Sequence, residues 1–488
     1  MLCFASIGCR WTRNTANVKN VIVILSLSSL LLFILGVLYS TGGNEPEYVM
    51  ESPRIEDGNS KHYELIGDEE DFKTGSCEIE NWNKITANII PHADQHKIWI
   101  QEKDDRKVLF HSTLSPFAAY VYNTHITVSL TSQTFYKKNV TCRYFDCHRN
   151  EILPRFRSRV FPQSTVHCGR RPGAEYITVT SDNNDTDEKI VPIQKRITKN
   201  SIPTYQHLFT VCLAPLYGDE PKFLQIAEFV EHHKLQGATF FHVYVANISN
   251  YDRRILDDYE KGNEIEIVEM MDYYVRDEFM WQNVQINDCH HRSKNFAKWT
   301  AFIDIDERME MLKGFNTIAD YLRNIRNPNV NMLHWQIQWV IKNETSPTRY
   351  ESDAQIVDNM VFRRFRNTSQ IGPLWMNAKA IIRPERYAMM TVHTPEFPYF
   401  GYERTFVEDF GVVKHYRNVG SHDKGIFKFM DNKFQKIMPF YIPQTEPWEH
   451  QILTKNVLNI VKKVYGVPGL TCEQRKSFYD TNRKPFSC

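Results

Sequence analysis

The sequence predicts an α/β fold in which a parallel sheet is covered by helices on both faces. After Pro203, apolar strand segments alternate with helical segments, beginning with the strand Leu208–Leu213 and a helix that starts near Pro221. Further strands are predicted at Phe240–Val245, Ile265–Glu269 and Trp299–Ile303, and further helices at Asp252–Glu260 and from Glu278 to about Arg292. Repeated β–α units of this kind form parallel sheets. Ligands bind beyond the carboxyl ends of such strands, so we expect the chemistry of the protein there.

An apolar segment near the amino terminus predicts a membrane anchor. Val21–Tyr39 contains no charged residue and is about long enough to cross a bilayer as a helix. Basic residues precede it and acidic residues follow it, so a type II orientation is expected. A cleaved signal peptide is the alternative, although the apolar segment exceeds the usual length and no clear cleavage motif follows.

The chain after the anchor is predicted to contain a stem and two folded regions. Residues 40–76 are polar and acidic and cannot bury enough surface to fold alone. Short alternating segments then predict a small β-rich domain, at Ala118–Tyr122, His125–Leu130 and Tyr176–Thr180. The predicted divisions are a cytosolic tail over 1–20, an anchor over 21–39, a stem over 40–76, a β-rich domain over 77–205 and the α/β domain over 206–488. The β-rich domain is either a packing extension or a sugar-binding module.

Composition excludes some classes of protein. A hydrophobic content of 42% argues against disorder, and a formal net charge of +1 gives no sign of a nucleic-acid partner. Eight of the ten cysteines follow the anchor, where an oxidising lumen permits disulfides, but the sequence leaves their pairing open. Homodimer formation is also left open.

The strongest chemical motif follows the strand Trp299–Ile303. It reads Asp304-Ile305-Asp306-Glu307, and the period of two in a strand predicts that Asp304 and Asp306 face the same side. Two carboxylates at the ligand edge of a sheet are explained by a divalent cation, Mn²⁺ or Mg²⁺, that bridges to a diphosphate. A solvated turn is the alternative for an isolated motif of this type.

Weaker candidates flank this motif. Tyr217 lies in the segment Ala214–Gly218, which is expected to connect the first strand to the following helix. This segment is predicted to contact a nucleoside. The alternative is an ordinary turn between a strand and a helix. Three polar residues near the end of the preceding helix are predicted to contact the phosphate-bearing ligand, namely Asn287, Asp288 and Arg292. The alternative is that they lie on a solvated face of the helix. The His232-His233 and His290-His291 pairs lack chelating spacing, so we exclude them as metal sites.

A second polar group lies in the carboxyl-terminal part, in the segment Gly411–Arg417. His415 is a candidate metal ligand, and Arg417 is a candidate contact of a diphosphate. A satisfied surface histidine is the alternative for His415.

The segment from about Leu208 to Arg417 resembles glycosyltransferase family 92. The resemblance rests on motifs in family order, namely VCLAPLYG, EFVEHHKLQGA, VYV, INDC, FIDIDER, AKAIIRPER, VHTP and KHYR. Upstream, CRYFDC and FPQSTVHCGRRPGAEYI are similar to the amino-terminal region of nematode members, which transfer galactose in β1,4 linkage to the core fucose of N-glycans.

This resemblance implies a GT-A (Rossmann-like) fold and an inverting, metal-dependent β1,4-galactosyltransferase of the Golgi membrane. The implied donor is UDP-galactose and the implied acceptor is a fucosylated N-glycan. Asp304, Asp306 and His415 become the implied metal ligands, and Lys379 of the AKAIIRPER motif joins Asp304 and Arg417 as a donor contact.

The general base is not fixed by these motifs. Inversion requires a base that takes the proton of the acceptor hydroxyl. Asp409 is our first candidate, followed by Glu403 and Glu307, while Glu408 lies in the same part of the chain.

Two other functions remain open at the level of sequence. One is a catalytically inactive membrane lectin that binds glycans through the β-rich domain, which the intact carboxylate motif disfavours. The other is a metal-dependent nucleotidyltransferase or phosphodiesterase, which also gathers carboxylates around a cation but does not fit a stem-mounted lumenal chain.

Overall fold

The structure is a computed structural model. It describes residues 77–102, 114–131, 137–181, 189–198, 205–271, 278–342, 346–374, 378–399, 403–407, 410–418, 442–443 and 449–466. All of them belong to one compact unit, Lys73–Cys488, so both predicted folded regions lie in the same unit. The predicted tail, anchor and stem lie outside the described residues. Among the helices that are described, none has the length and apolar character needed to span a membrane.

The amino-terminal region is β-rich and forms a seven-stranded sheet in the order β4–β3–β6–β7–β1–β2–β5. Only β1 and β7 pair in parallel among its neighbours. A short 3₁₀ turn, Asn81–Asn83, and one helix, α1 (Ala93–Glu102), precede the sheet. Its strands are β1 (Pro116–Val121), β2 (Ile126–Leu130), β3 (Asn139–Phe145), β4 (Glu151–Arg159), β5 (Thr165–Cys168), β6 (Tyr176–Thr180) and β7 (Val191–Lys195).

A parallel four-stranded core follows, as the alternating sequence pattern predicts. Its strands are β8 (His207–Leu216), β9 (Phe240–Val245), β10 (Ile265–Glu269) and β11 (Ala297–Ile303), which lie in the order β10–β9–β8–β11. The connecting helices are α2 (Phe223–Leu235), α3 (Asn250–Lys261) and α4 (Glu278–Ser293). Because the chain order reverses between β8 and β11, the carboxyl ends of these two neighbours open a crevice for a ligand.

Alternating side chains bury the two faces of this core differently. Phe209, Val211 and Leu213 pack on one side with α2 and α3, whereas Cys212 packs on the other side with α4. This is the period of two expected of a strand buried on both faces. The first backbone amides of α2, at Lys222 and Phe223, both donate to Asp252 Oδ1 at 2.8 Å, which fixes α2 against α3.

The remaining chain departs from the parallel prediction. It adds three strands to the edge of the core beside β11, and two of the new pairings, β11–β16 and β13–β16, are antiparallel. The elements that follow β11, up to and including the strand β16 that pairs with it, are β12 (Glu307–Met311), α5 (Ile318–Asn324), β13 (Val330–Trp335), β14 (Ile337–Lys342), α6 (Asp353–Asn359), α7 (Val361–Arg364), β15 (Asn367–Ile371) and β16 (Lys379–Ile382). The 3₁₀ turn Pro384–Arg386 follows, then β17 (Tyr387–Met390), β18 (Pro395–Pro398), β19 (Glu403–Phe406), β20 (Gly411–Asn418), β21 (Ile442–Pro443) and α8 (Glu449–Tyr465).

A smaller five-stranded sheet stands beside the core in the order β12–β20–β14–β15–β21. Three residues separate the end of β11 from the start of β12, so the carboxylate motif forms the connection between the two sheets. Strands β17 and β18 form a separate hairpin.

Three disulfides occur among the described residues and pair six of the eight cysteines that follow the predicted anchor; Cys472 and Cys488 lie outside the described residues. Two bridge the β-rich region, Cys77–Cys147 and Cys142–Cys168. The third, Cys212–Cys289, ties β8 to α4 and closes a sequence separation of 77 residues.

Candidate active site

The candidate site is a cavity of about 660 Å³ at the carboxyl ends of β8 and β11. Its walls include Ala214–Gly218, which comprises the last three residues of β8 and the two residues after it, and the Asp304–Asp306 connection after β11. Both segments were predicted to lie at this edge. Their proximity follows from the sheet order, because β8 and β11 are parallel neighbours and end at the same level.

The connection Asp304–Asp306, which we call the carboxylate turn, is held by Glu307. Glu307 Oε2 accepts a hydrogen bond from the Asp304 backbone amide at 2.8 Å. Lys379 Nζ lies 2.9 Å from Asp304 Oδ2 and 3.1 Å from Glu307 Oε2. Lys379 begins β16, which pairs with β11, and this pairing brings a residue 75 positions away to the turn. The buried ammonium group therefore neutralises part of the charge that gathers here.

His415 contacts the other carboxylate of the turn. Its Nε2 atom lies 3.2 Å from Asp306 Oδ2, and its ring stacks on Trp339 with centroids 4.7 Å apart. The position is set by strand pairing, since β20 places His415 opposite Glu307 on one side and opposite Trp339 on the other. Arg417, two residues along the same strand, has Nη1 at 3.5 Å from Asp306 Oδ2.

The charges of the site are strongly coupled. Burial acts to raise the pKa of Asp306, but His415 and then Arg417 and Lys379 outweigh it and hold that pKa well below its usual range. Burial raises the pKa of Glu307 to about 7, against the opposing effect of Lys379. Burial acts to lower the pKa of His415, yet the two carboxylates raise it above its ordinary value. Asp306 is thus an anion at neutral pH, paired with His415 and Arg417.

The donor set suits a divalent metal of the Mn²⁺ type. Asp304 and Asp306 both line the cavity with side chains 30% and 25% exposed, and His415 Nε2 points at Asp306. Two carboxylate oxygens with one imidazole nitrogen are ligands that Mn²⁺ accepts. In the part of the chain that is described, the one compact His, Cys, Asp or Glu cluster is Cys77, Cys147 and His148, where the two cysteines form a disulfide. Asp304, Asp306 and His415 thus supply donor types that a divalent metal accepts, but they do not form such a compact cluster in this structure, where the Asp304 carboxylate is engaged by Lys379.

Most of the predicted ligand-binding residues come together in this place. Tyr217, Asp304, Asp306 and Arg417 line the cavity, and Tyr217 is 38% exposed. His415 and Lys379 lie directly behind the two carboxylates. The excluded histidine pairs serve the fold instead, because His232 Nε2 bonds the Met309 carbonyl and His290 Nε2 bonds the Pro384 carbonyl.

Three residues that were predicted to contact the nucleotide-sugar donor do not lie at this cavity. Asn287, Asp288 and Arg292 are buried on α4 and are not among the cavity-lining residues that the structure describes. Arg292 Nη2 lies 3.0 Å from Asp288 Oδ2, and its Nη1 lies 2.6 Å from Glu266 Oε1. The hydroxyl of Tyr120, on β1, donates to Asp288 Oδ1 at 2.6 Å. These groups form a buried network between the β-rich sheet and the core, because α4 is covered there by strands that the helix pattern alone does not reveal.

The residues that were predicted as candidates for the general base lie in different parts of the structure. Glu307 is fully buried and is engaged by the Asp304 amide and Lys379, so it positions the carboxylate turn and does not reach an acceptor hydroxyl. Glu403 begins β19, at the far edge of the core sheet. Asp409 and Glu408 lie outside the described residues.

Several cavity residues escaped prediction. Gln282 lies in the first two turns of α4, with Nε2 at 3.4 Å from Asp304 Oδ1. Lys342 ends β14 and has Nζ at 3.3 Å from Glu220 Oε1, and Gln225 Nε2 also bonds that oxygen at 3.2 Å. Gln282 had a usable signal, because the start of a helix in a β–α unit lies at the ligand edge of the sheet.

The chain is similar to two named galactosyltransferases. It is 20% identical over 397 residues to beta-1,4-galactosyltransferase galt-1 of Caenorhabditis elegans, which covers 77% of this chain and 86% of the relative. It is 26% identical over 124 residues to galactan beta-1,4-galactosyltransferase GALS1 of Arabidopsis thaliana, which covers 25% of each chain.

Solved structures match more distantly. The mannosyltransferase PcManGT of Pyrobaculum calidifontis, solved in complex with GDP-Man and Mn²⁺, is 10% identical, with 58% of this chain and 81% of that chain covered and a TM-score of 0.27. Residues 1–349 of S. aureus TarS, in complex with UDP-GlcNAc, are 10% identical, with coverages of 56% and 79% and a TM-score of 0.26.

The sequence profile of glycosyltransferase family 92 matches residues 207–453, which run from the first strand of the core sheet into α8 and include the carboxylate turn, Lys379 and His415. The chain therefore belongs to glycosyltransferase family 92.

Proposed function

We propose that this protein is a metal-dependent, inverting β1,4-galactosyltransferase that transfers galactose from UDP-galactose to a fucose of N-glycan cores. The observation that carries the proposal is that Asp304 and Asp306 line one cavity together with the end of β8, while His415 Nε2 lies 3.2 Å from Asp306 Oδ2. We further propose a type II orientation in the Golgi membrane, which rests on the apolar segment Val21–Tyr39 and its flanking charges.

Asp304, Asp306 and His415 would hold the cation, Mn²⁺ or Mg²⁺. When bound, it supplies Lewis-acid neutralisation of the charge on the departing diphosphate. Arg417 has a side chain that is 47% exposed beside Asp306, so its guanidinium group can pair with a phosphate oxygen. The Ala214–Gly218 connection would hold the nucleoside at the other wall of the cavity.

Transfer with inversion is a direct displacement at the anomeric carbon. The acceptor hydroxyl oxygen forms the new bond, the bond to UDP breaks, and a base takes the hydroxyl proton. Lys379 keeps the carboxylate turn in place by pairing with Asp304 and Glu307. Asp409 stays our first candidate for the base. Glu403 pairs in register with Val330, at the end of β13 away from Lys379 and the carboxylate turn, so we do not retain it.

The donor and the linkage are supported by the name of the C. elegans relative, beta-1,4-galactosyltransferase, whose similarity extends over 86% of its length. The fucose acceptor is supported by the resemblance to nematode family members.

The test is a transfer assay with the full-length chain in detergent. UDP-galactose, UDP-glucose and UDP-N-acetylglucosamine are each offered with a core-fucosylated N-glycan and with the same glycan lacking fucose, in the presence of Mn²⁺ or a chelator. We expect one added hexose by mass only with UDP-galactose, the fucosylated glycan and Mn²⁺.

Controls make the failure of each part distinct. Transfer to the glycan lacking fucose would contradict the acceptor, and undiminished transfer in chelator would contradict the metal. Binding of the glycan without transfer from any donor would favour the inactive lectin. Asp94→Asn serves as the control for any variant of the two cavity carboxylates. Asp94 is 94% exposed on α1, so this variant should retain full transfer.

A further inference from the structure

A second cavity, of about 360 Å³, lies at the opposite end of β11 from the carboxylate turn. It is bounded by the loop Tyr122–His125 between β1 and β2, by Lys294–Asn295 before β11, and by Tyr399 after β18. Seven strand residues separate its Lys294 from Asp304, which corresponds to roughly 20 Å at about 3.3 Å per residue. The two cavities share none of their described lining residues.

Lys294 is the only lysine or arginine among the described residues that line this cavity. No carboxylate in the described part of the chain forms an ion pair with its ammonium group. Burial lowers the pKa of Lys294 to about 8, with Glu385 acting in the opposite direction. Lys294 is half-buried in the cavity wall and keeps its charge at neutral pH, and the Glu385 carboxyl group lines the same cavity.

Four histidines line the same cavity and add neutral hydrogen-bonding groups. Burial is the largest cause that lowers the pKa of each of the four, His92, His96, His125 and His167, and the positive charge of Lys294 acts in the same direction. These rings are therefore neutral near pH 7. His125 Nδ1 lies 3.1 Å from Thr124 Oγ1, and His167 Nδ1 lies 3.0 Å from Thr127 Oγ1.

Those contacts leave a ring nitrogen for a ligand. In the tautomer in which the threonine hydroxyl donates to Nδ1, the Nε2–H group of His125 or His167 remains a donor. The flat faces of the cavity come from two stacked pairs, His92 on Tyr399 at 3.9 Å and Tyr122 on His125 at 5.0 Å. The Glu385 carboxyl group also lines the cavity. With one cation, several neutral donors and ring faces beside it, the lining suits a small ligand that carries an anionic group.

The geometry points to a second binding site in this protein, in which Lys294 pairs with the oxyanion of a small ligand and the imidazoles of His125 and His167 donate to it. Two sources share this chemistry: a sugar acid, which carries a carboxylate, and a free inorganic oxyanion. The site is independent of the transfer reaction, because it lies at the other edge of the sheet.

The test measures binding to the full-length chain by calorimetry, with glucuronate, inorganic sulfate and neutral glucose as probes. We expect saturable binding of at least one anion and none of glucose. Saturation by glucuronate alone identifies a sugar-acid site, whereas saturation by sulfate alone identifies an inorganic oxyanion site. Absence of saturable binding for both anions, or equal binding of glucose, would overturn the proposal.

Variants locate the site. Lys294→Met should weaken the binding at least about tenfold, because the charge-assisted contact is lost, and Lys294→Arg should largely retain it. Lys298→Met removes a lysine four positions along the chain that does not line the cavity, and it should bind as the parent does. Equal affinity of the Lys294→Met and Lys298→Met variants would place the anion elsewhere and refute the assignment.

A pH series keeps the test decisive if Lys294→Met does not fold. Affinity of the parent should fall as pH rises through about 8, where the Lys294 ammonium group loses its proton. The four histidines and the two tyrosines that line the cavity should not produce this change, since the pKa values of the histidines are lowered and those of Tyr122 and Tyr399 are raised. Burial also raises the pKa of Glu385, which gains charge in the same direction and reinforces the loss. Affinity that does not change between about pH 7 and about pH 9 would contradict the role of Lys294.

Discussion

The Nζ atom of Lys379 lies 2.9 Å from Oδ2 of Asp304 and supplies the buried positive charge at the carboxylate turn. Burial acts to lower the pKa of Lys379, but Asp304 and Glu307 outweigh burial and raise it above its ordinary value. A strand pairing between β11 and β16 brings the two residues together. The position of the turn therefore depends on a side chain that lies far away in sequence.

Lys379→Met should destabilise the protein and reduce transfer. The substitution leaves Glu307 buried without its cation, and breaking a buried ion pair costs about 3–5 kcal/mol of the free energy of unfolding. The melting temperature in detergent measures the loss. Adding Glu307→Gln to Lys379→Met should recover part of it, because the uncompensated carboxylate is removed. A parent-like melting temperature for the single variant would contradict the ion-pair role.

Asp306→Ala should abolish metal-dependent transfer while leaving the fold intact. Asp306 lines the cavity, and its side chain is 25% exposed, so its removal opens little buried space. We expect transfer from UDP-galactose to fall by about two orders of magnitude or more, since a catalytic cation supplies several kcal/mol of charge stabilisation. The rate with saturating Mn²⁺ and the melting temperature are measured together. Full activity in this variant would refute the metal assignment.

Acid should weaken the β-rich sheet through Glu151. Its side chain bonds Arg143 at 2.8 Å and Arg155 at 2.7 Å. The Arg143 hydrogen bond is the largest cause that lowers the pKa of Glu151 to about 2, from an ordinary value of 4.5. A lowered folded-state pKa gives stability that is complete above the unfolded-state pKa and is lost as pH falls through the window from 4.5 to about 2.

Glu151→Gln tests this loss directly. At about pH 6 the variant should be less stable than the parent by about 1 kcal/mol, a value discounted for solvent screening, and the difference should vanish near pH 2. Unfolding in urea across this range gives the two free energies. Glu175→Gln, an exposed carboxylate just before β6, is the control. A difference that persists unchanged at the acid end would contradict the assigned pKa.

The parallel core could be predicted because its signals are local. The predicted bounds Phe240–Val245 and Ile265–Glu269 are those of β9 and β10, and the apolar segment before Asp304 is part of β11. β9 and β11 are buried on both faces and are marked by largely apolar segments, whereas β10 lies at the edge of the sheet and alternates apolar residues with the less buried Glu266 and Glu269. The carboxylate turn follows from the same rule, since ligands bind beyond such strands.

The rest depends on pairings that no local pattern encodes. Thr300 pairs with Ile382 across the antiparallel edge, and His415 lies opposite Glu307 because β12 pairs with β20. The sequence predicted His415 as a metal ligand only through the KHYR motif. It predicted Lys379 as a contact of the sugar donor through the AKAIIRPER motif, and no physical argument from the sequence supported that role. The misplaced contacts have the same origin, because nothing around Arg292 in sequence shows that Tyr120 and β1 cover it.

Arg292→Met distinguishes a structural arginine from a phosphate contact. The side chain is 3% exposed and pairs with Asp288 and Glu266, so its loss leaves two carboxylates without their cation. We expect the free energy of unfolding to fall by about 3–5 kcal/mol, while the KM for UDP-galactose of the folded fraction stays that of the parent. Arg323→Met, at an arginine that is 60% exposed and pairs with Asp320, should cost no more than about 1 kcal/mol. A raised KM for the donor with an unchanged melting temperature would restore the phosphate role that the helix position suggested.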